Sequence, residues 1–332
     1  MLKIIQKNKI PTGIILALLF LYLSLRKISW AELKTVFSSA SFLLIAAVVL
    51  LNLAARLFVV CRWWLLLSYE KRISILQVFH YVNIGYFINS ILPARTGDFL
   101  KAVMIAKKNS LRKTSCLASV AVERLFDLLG LSMVFLAALF ILNLPLYIKQ
   151  GGYIVLVIAS VTLFFFFLLS KRSNTFYNCF SGFSKNKIYL WIIRRFELIF
   201  SYSYILRNKR IISGALAATA LSWFLYVYAG YIIIEKIAQG PYSWHVSLLA
   251  LLFISVSFVL PTTPGNIGVY QFVCILAFSI AEMPREQAIV FSLISQIPAY
   301  LLSILLGLYS MGHEGITKKI IIKENIETSV WS

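Results

Sequence analysis

Apolar runs of roughly bilayer length recur along this chain, at 10–25, 41–67, 115–142, 152–170, 211–234 and 289–310. A spanning helix needs roughly 17 to 25 mainly apolar residues, because each residue advances about 1.5 Å through a hydrocarbon core about 30 Å thick. Runs of this kind, in a chain of 332 residues that is 60% hydrophobic and 13% charged, exclude a soluble globular domain. No stretch alternates apolar and polar residues as the strands of an outer-membrane barrel would. The expected fold class is therefore an all-α polytopic membrane protein with about six full spanning helices. Lys3, Lys7 and Lys9 precede the first run, but Arg26 and Lys27 follow it where a cleaved signal would have small residues, so it reads as a retained helix.

Two further apolar regions, about 76–106 and 246–281, are too long for one helix and are interrupted near their middles. Residues 92–98 read LPARTGD and residues 260–266 read LPTTPGN. Proline removes a backbone donor and clashes with the preceding turn, and glycine weakens a helix, so both regions should break there. Pro93 and Gly97 mark the first break; Pro261, Pro264, Gly265 and Gly268 mark the second. A pair of re-entrant half-helices, entering and leaving on one side, fits each region.

The basic residues test that layout, since short cytoplasmic loops are rich in Lys and Arg. With both regions re-entrant, the basic residues of the N-terminus, 67–76, 107–114, 171–210 and the tail fall on one side. The 26–40 loop, with Arg26, Lys27 and Lys34, dissents mildly. The expectation is a single membrane domain over 1–332, multi-pass in the cell (inner or cytoplasmic) membrane, with both termini cytoplasmic. Its parts are a first repeat at 41–142, a basic connector at 171–210, a second repeat at 211–310 and a cytoplasmic tail at 311–332. The two breaks enter from opposite sides, which makes an inverted-topology repeat. Matching interruptions in two halves of opposite topology point to a transporter-type site near the midplane.

Eight charged residues map to apolar segments: Arg56, Arg62, Arg95, Asp98, Lys101, Glu123, Arg124 and Asp127. A central charge costs about 2.5–3.5 kcal/mol on the insertion scale, so these must pair, snorkel or line water. Glu123 and Asp127 are four apart and share a helical face, whereas Arg124 points roughly 100 degrees away. Arg95 and Lys101 are the natural cations opposite them. Arg62 and Arg56, near helix ends, are expected to snorkel. Two readings of the remainder stand side by side: a structural ion-pair network holding the first hairpin, or a cationic site for an anionic head group such as phosphate. The second break adds Thr262, Thr263, Asn266, Tyr270 and Gln271, which either contact the head group or satisfy freed backbone. Residues 187–206 read either as an interfacial helix on anionic lipid or as an ordinary connector.

Other chemistry finds little support. Cys61, Cys116, Cys179 and Cys274 are far apart and form no CxxC pair, and His80, His245 and His313 have no metal-ligand spacing, so neither a metal site nor a cofactor is expected. The net charge of +20 flanks apolar runs and is not gathered in a soluble domain, which favours anionic lipid over nucleic acid as partner. No GxxxxGK[ST] motif is present, so ATP hydrolysis by this chain is not expected.

Three segments in this order, NSILPARTGDFLKA, VAVERLFDLLGL and LPTTPGNIGVYQF, resemble the transmembrane-region family of lysylphosphatidylglycerol synthases. That family includes the flippase half of the bacterial multiple-peptide-resistance protein and many stand-alone members. The resemblance covers about residues 10–310. It implies that Pro93, Arg95, Gly97 and Asp98, then Glu123, Arg124 and Asp127, then Pro261, Pro264, Gly265, Asn266 and Gly268 hold signature positions. It also implies a fold of two re-entrant hairpins meeting in the membrane. Only 22 residues follow Ser310, so the soluble aminoacyl-transferase domain of the bifunctional members, and lysyl transfer from tRNA, are not expected.

The functional expectation is a flippase-like protein that moves an anionic or aminoacylated phospholipid, or a polyprenyl-phosphate-linked lipid, between leaflets. The residues expected to bind that lipid are Arg95, Asp98, Lys101, Glu123, Arg124, Asp127, Thr262, Thr263 and Asn266. The alternatives are a membrane-embedded transferase, with Glu123 or Asp127 as general base, and an accessory subunit for an enzyme of lipid or lipid-linked glycan synthesis.

Overall fold

A computed structural model describes residues 22, 24–25, 28–38, 40–92, 95–142, 144–171, 205, 208–238, 244–258 and 264–316. The first apolar run apart from residues 22, 24 and 25, nearly all of the 187–206 segment, Pro93, Pro261, Thr262 and Thr263 lie outside the described residues, as does the tail beyond 316. The described residues form ten α-helices and no strand.

Among the described residues five helices are long and apolar enough to cross a membrane: α2 (Phe42–Leu67), α5 (Lys113–Ile141), α6 (Leu146–Lys171), α7 (Lys209–Ile237) and α10 (Arg285–His313). The protein is an all-α polytopic membrane protein. The outer face of α6 carries Ile154, Val157, Ile158, Val161 and Phe164, all exposed. Such a surface is stable against lipid and not against water. Side chains close the ends of these helices. The Ser41 hydroxyl accepts from the Leu44 N–H at the start of α2, and Asn208 Oδ1 accepts from Arg210 and Ile211 at the start of α7.

Both interrupted regions resolve into two short helices, α3 (Ile75–Ile91) with α4 (Thr96–Lys108), and α8 (Trp244–Ser257) with α9 (Val269–Ile280). At the first break Leu92 is extended and Arg95 is left-handed (φ 52°). The chain then turns back, and Lys71 Nζ donates to the Asn109 carbonyl at 2.9 Å, so the two ends of the pair lie together. At the second break Gly265, Asn266 and Gly268 all have positive φ, a conformation that needs glycine or asparagine. The region read as a loop at 26–40 contains the helix α1 (Trp30–Ser38). The Ser29 hydroxyl, which accepts from Glu32 N–H, starts it, and Glu286 of α10 anchors its entry by accepting from Ser29 N–H.

The order long helix, short pair, long helix therefore occurs twice. The first unit is α2, α3–α4 and α5; the second is α7, α8–α9 and α10. Their leading helices pack antiparallel: Arg62 meets Thr219, and Leu65 meets Gly214. Packing is also reciprocal, because α3 lies along α10 and α8 lies along α5. Each short pair is thus held by the closing helix of the other unit.

Within lipid the hydrophobic effect does not drive helices together, so close backbone approach must. Gly97 supplies it in the first pair. A Cβ there would overlap the Gly85 carbonyl oxygen and crowd Asn89 Oδ1 at 2.8 Å. Gly97→Ala is therefore expected to separate α3 from α4 and cost about 1–3 kcal/mol. A lowered melting midpoint in detergent checks it; an unchanged midpoint shows that the pair tolerates the spread.

Candidate functional site

The interior charges sit where α2, α4 and α5 meet. Lys101 Nζ is 2.7 Å from Glu123 Oε2, and both side chains are nearly sealed, at 3% and 1% exposure. Arg62, 1% exposed, reaches Asp127 at 2.6 Å and Glu123 at 3.7 Å, and donates to the Thr219 hydroxyl at 3.1 Å. Arg124 is 2.7 Å from Asp127, 3.3 Å from Glu123 and 3.5 Å from Asp98. Lys101 also lies over the Trp63 ring, 4.4 Å from its centroid, and the Trp63 N–H donates to Ser119. Each of the three carboxylates therefore has a cation within 3.5 Å, and three cations share them.

Two expectations fail here. Arg62 does not snorkel; its side chain runs inward to Asp127, because the Glu123 and Asp127 carboxylates, 1% and 31% exposed, hold it more strongly than distant water. Arg56 is buried as well, donating to Asn83 Oδ1 at 3.0 Å and the Ser303 hydroxyl at 2.6 Å, with its guanidinium 4.5 Å from the Tyr86 ring centroid. Arg124, set off the Glu123 face by one residue, still joins the cluster because its long side chain folds back to the next turn.

Arg95, expected with Lys101 as a cation opposite Glu123 and Asp127, does not pair with them; Arg62 and Arg124 take that place beside Lys101. Arg95 is exposed, and among the described residues it has no ion-pair partner; its guanidinium lies 5.8 Å from the ring centroid of Phe258, in the other short pair. The two breaks thus face each other. Tyr300 of α10 donates to the Ser90 carbonyl at the end of α3, and its ring also packs against Gly265.

Around this junction lies a cavity of about 850 Å³. Its walls include all eight charged residues, five cations against three carboxylates, so positive charge is in excess. The amides and hydroxyls of Asn89, Ser222, Ser255, Gln296 and Tyr270 share those walls with Leu128, Leu131, Trp223 and Phe291. An apolar chamber with a few fixed polar groups suits an amphiphile.

Both breaks are pinned by amide side chains. Asn89 Oδ1 accepts from Gly97 N–H at 2.8 Å, while its Nδ2 donates to Asp98 at 3.3 Å. In the second break Asn266 Nδ2 donates to Ser257 Oγ at 2.7 Å, Gln271 Oε1 accepts from Gly268 N–H, and Gln296 bridges Gly265 and Gln271. Asn266 is 3% exposed and braces the turn, and Gln271 does the same. Asn89, Gln296 and Tyr300 have no counterpart among the residues chosen from sequence. Asn89 was within reach, as an amide side chain before a Pro/Gly break with freed backbone to satisfy; Tyr300 and Gln296 sit far along the chain with no local sign.

The model for the transmembrane region of lysylphosphatidylglycerol synthase matches residues 10–307. The chain belongs to that family. The match takes in both breaks, the charged cluster and every wall of the cavity. A UPF0104 membrane protein of Methanocaldococcus jannaschii is 23% identical over 233 residues, which cover 67% of this chain and 91% of that protein. No solved structure gives a significant match.

Proposed function

We propose that the protein moves a lipid with an anionic, phosphate-bearing head group between the leaflets of the cell membrane, through the cavity where the two breaks meet. The observation that carries this reading is the charge of that cavity. Its carboxylates are already matched inside the cluster, and Arg95 stands at the break with no ion-pair partner among the described residues. A guanidinium presents a planar fork of donors that fits phosphate oxygens.

The antiparallel pairing of α2 with α7 and the reciprocal packing of the short pairs support an inverted repeat. In that arrangement the first pair opens toward the basic loops, taken as cytoplasmic along with both termini, and the second opens away from them. The apolar walls would hold acyl or prenyl chains while the polar floor holds the head group.

The test is reconstitution into liposomes containing a fluorescent phosphatidylglycerol or a fluorescent phosphatidylethanolamine, with an impermeant quencher outside. The anionic probe is expected to become accessible faster than in protein-free vesicles and faster than the zwitterionic probe. Equal, protein-independent rates for both would overturn the reading, and a new lipid species in the vesicles would reassign the cavity to chemistry.

A further inference from the structure

The far end of the first short pair carries a second cluster, distinct from the cavity, whose walls it does not share. His80 of α3 is 1% exposed, and its Nδ1 lies 3.1 Å from the Ser310 hydroxyl of α10. Its Nε2 is buried with no hydrogen-bond partner among the described residues. A ring nitrogen in that state has lost its hydration with no hydrogen bond in exchange. His313, half exposed, stacks on His80 with ring centroids 4.1 Å apart and planes 19° apart. Beside them Glu314, 7% exposed, holds Oε1 3.7 Å from His313 Nδ1. Its other oxygen accepts from Tyr81 at 3.2 Å and is 3.8 Å from Lys108 Nζ.

We propose that His80, His313 and Glu314 bind a divalent transition-metal ion of the zinc class. One ligand atom from each of the three lies within 4.8 Å of the others. Two imidazoles and one carboxylate form a donor set that zinc takes with a fourth position left open. Ser310 supplies the outer contact such a histidine needs: with Nδ1–H donated to the hydroxyl, the lone pair falls on Nε2, the atom that lacks a partner. Tyr81 plays the same part for Glu314, fixing one oxygen and leaving Oε1 for the ion.

Tetrahedral ligation at about 2.0–2.1 Å brings donor atoms to roughly 3.3 Å from one another, so loading must draw the three inward. His313 has the freedom to do so, since its ring is half exposed and turns out of the stack, whereas His80 is fixed by packing. Lys108, 57% exposed and 3.8 Å from Oε2, the oxygen the ion does not use, swings toward water as the ion's charge arrives. Because His80 is on α3 and the other two ligands end α10, the ion would clamp the first short pair to the closing helix of the second unit. His313 and Glu314 lie beyond residues 10–307 of the family match, so the site is not part of what that match covers.

The test uses the full chain without a polyhistidine tag, purified in detergent, stripped with a chelator and titrated with Co²⁺. The expected result is one saturable equivalent per chain, with visible d–d bands that Zn²⁺ bleaches. His313→Ala and Glu314→Gln should each weaken binding by at least about 10-fold, while His245→Ala leaves it unchanged. These two substitutions are made beside the accessible ring, so their metal-free melting midpoints are expected to stay near the wild type, which separates loss of a ligand from loss of fold. No saturable Co²⁺ binding, or binding as tight in His313→Ala and Glu314→Gln as in the wild type, overturns the site.

Discussion

Glu123→Ala is expected to destabilise the folded protein by about 3–5 kcal/mol, the range seen when one partner of a buried ion pair is removed. Its carboxylate is the nearest anion to Lys101 and a secondary partner of both Arg62 and Arg124. Without it Lys101, 3% exposed, keeps the Trp63 ring face as its remaining close contact among the described residues, at a position with little access to water. The attraction lost is smaller than the desolvation that stays behind, so the cost belongs mainly to the orphaned ammonium. That distinction is measurable. Lys101→Met combined with Glu123→Leu removes both charges at similar volume and should recover most of the loss, while Arg62 retains Asp127 at 2.6 Å. Unfolding midpoints in detergent for Lys101→Met, Glu123→Leu and the double variant decide it. A double variant as unstable as the sum of the singles would mean that the cluster acts through geometry, with charge compensation secondary.

Arg95→Ala should leave the fold intact and slow movement of the anionic lipid by about 10–100-fold, equivalent to one charged hydrogen-bonding group worth about 1.5–3 kcal/mol. The asymmetry with Glu123 follows from surroundings. Arg95 is exposed to the cavity and contributes no ion pair to the cluster among the described residues, so its removal strands no buried partner. Its backbone sharpens the argument. A side chain in the left-handed region costs about 1 kcal/mol or more, which glycine would avoid. Arg95→Gly should therefore fold at least as stably as the wild type and still lose lipid movement. Wild-type rates in both variants, measured with the liposome assay, would remove Arg95 from the head-group site and leave the cluster a purely structural device.

The candidate site shows where reading along a chain stops. Glu123 and Asp127 were legible as two carboxylates on one face because helical periodicity is local, and Lys101 followed from the short connector that brings α5 back beside α4. Arg62 was not legible as their partner. It is separated from Asp127 by 65 positions and its place near a helix end predicts snorkelling; only the packing of α2 against α5 and α7 turns it inward. The second break was legible as a break, but its bracing by Gln296 and Tyr300 of α10 depends on where a distant helix lies.

By itself the sequence determined that this is an all-α polytopic membrane protein. Bilayer thickness imposes a length on every apolar run, and a lipid solvent permits no unpaired backbone, so the helices at 42–67, 113–141, 146–171, 209–237 and 285–313 follow from composition. It also located the two interruptions, since proline and glycine act on their own turn of helix. The tertiary structure decided which charges meet, that Arg56 and Arg95 lie apart from the carboxylate cluster, and which amides hold the breaks. Those outcomes rest on contacts between elements far apart in the chain, whose energies depend on distances of a few ångströms that no local pattern of residues encodes.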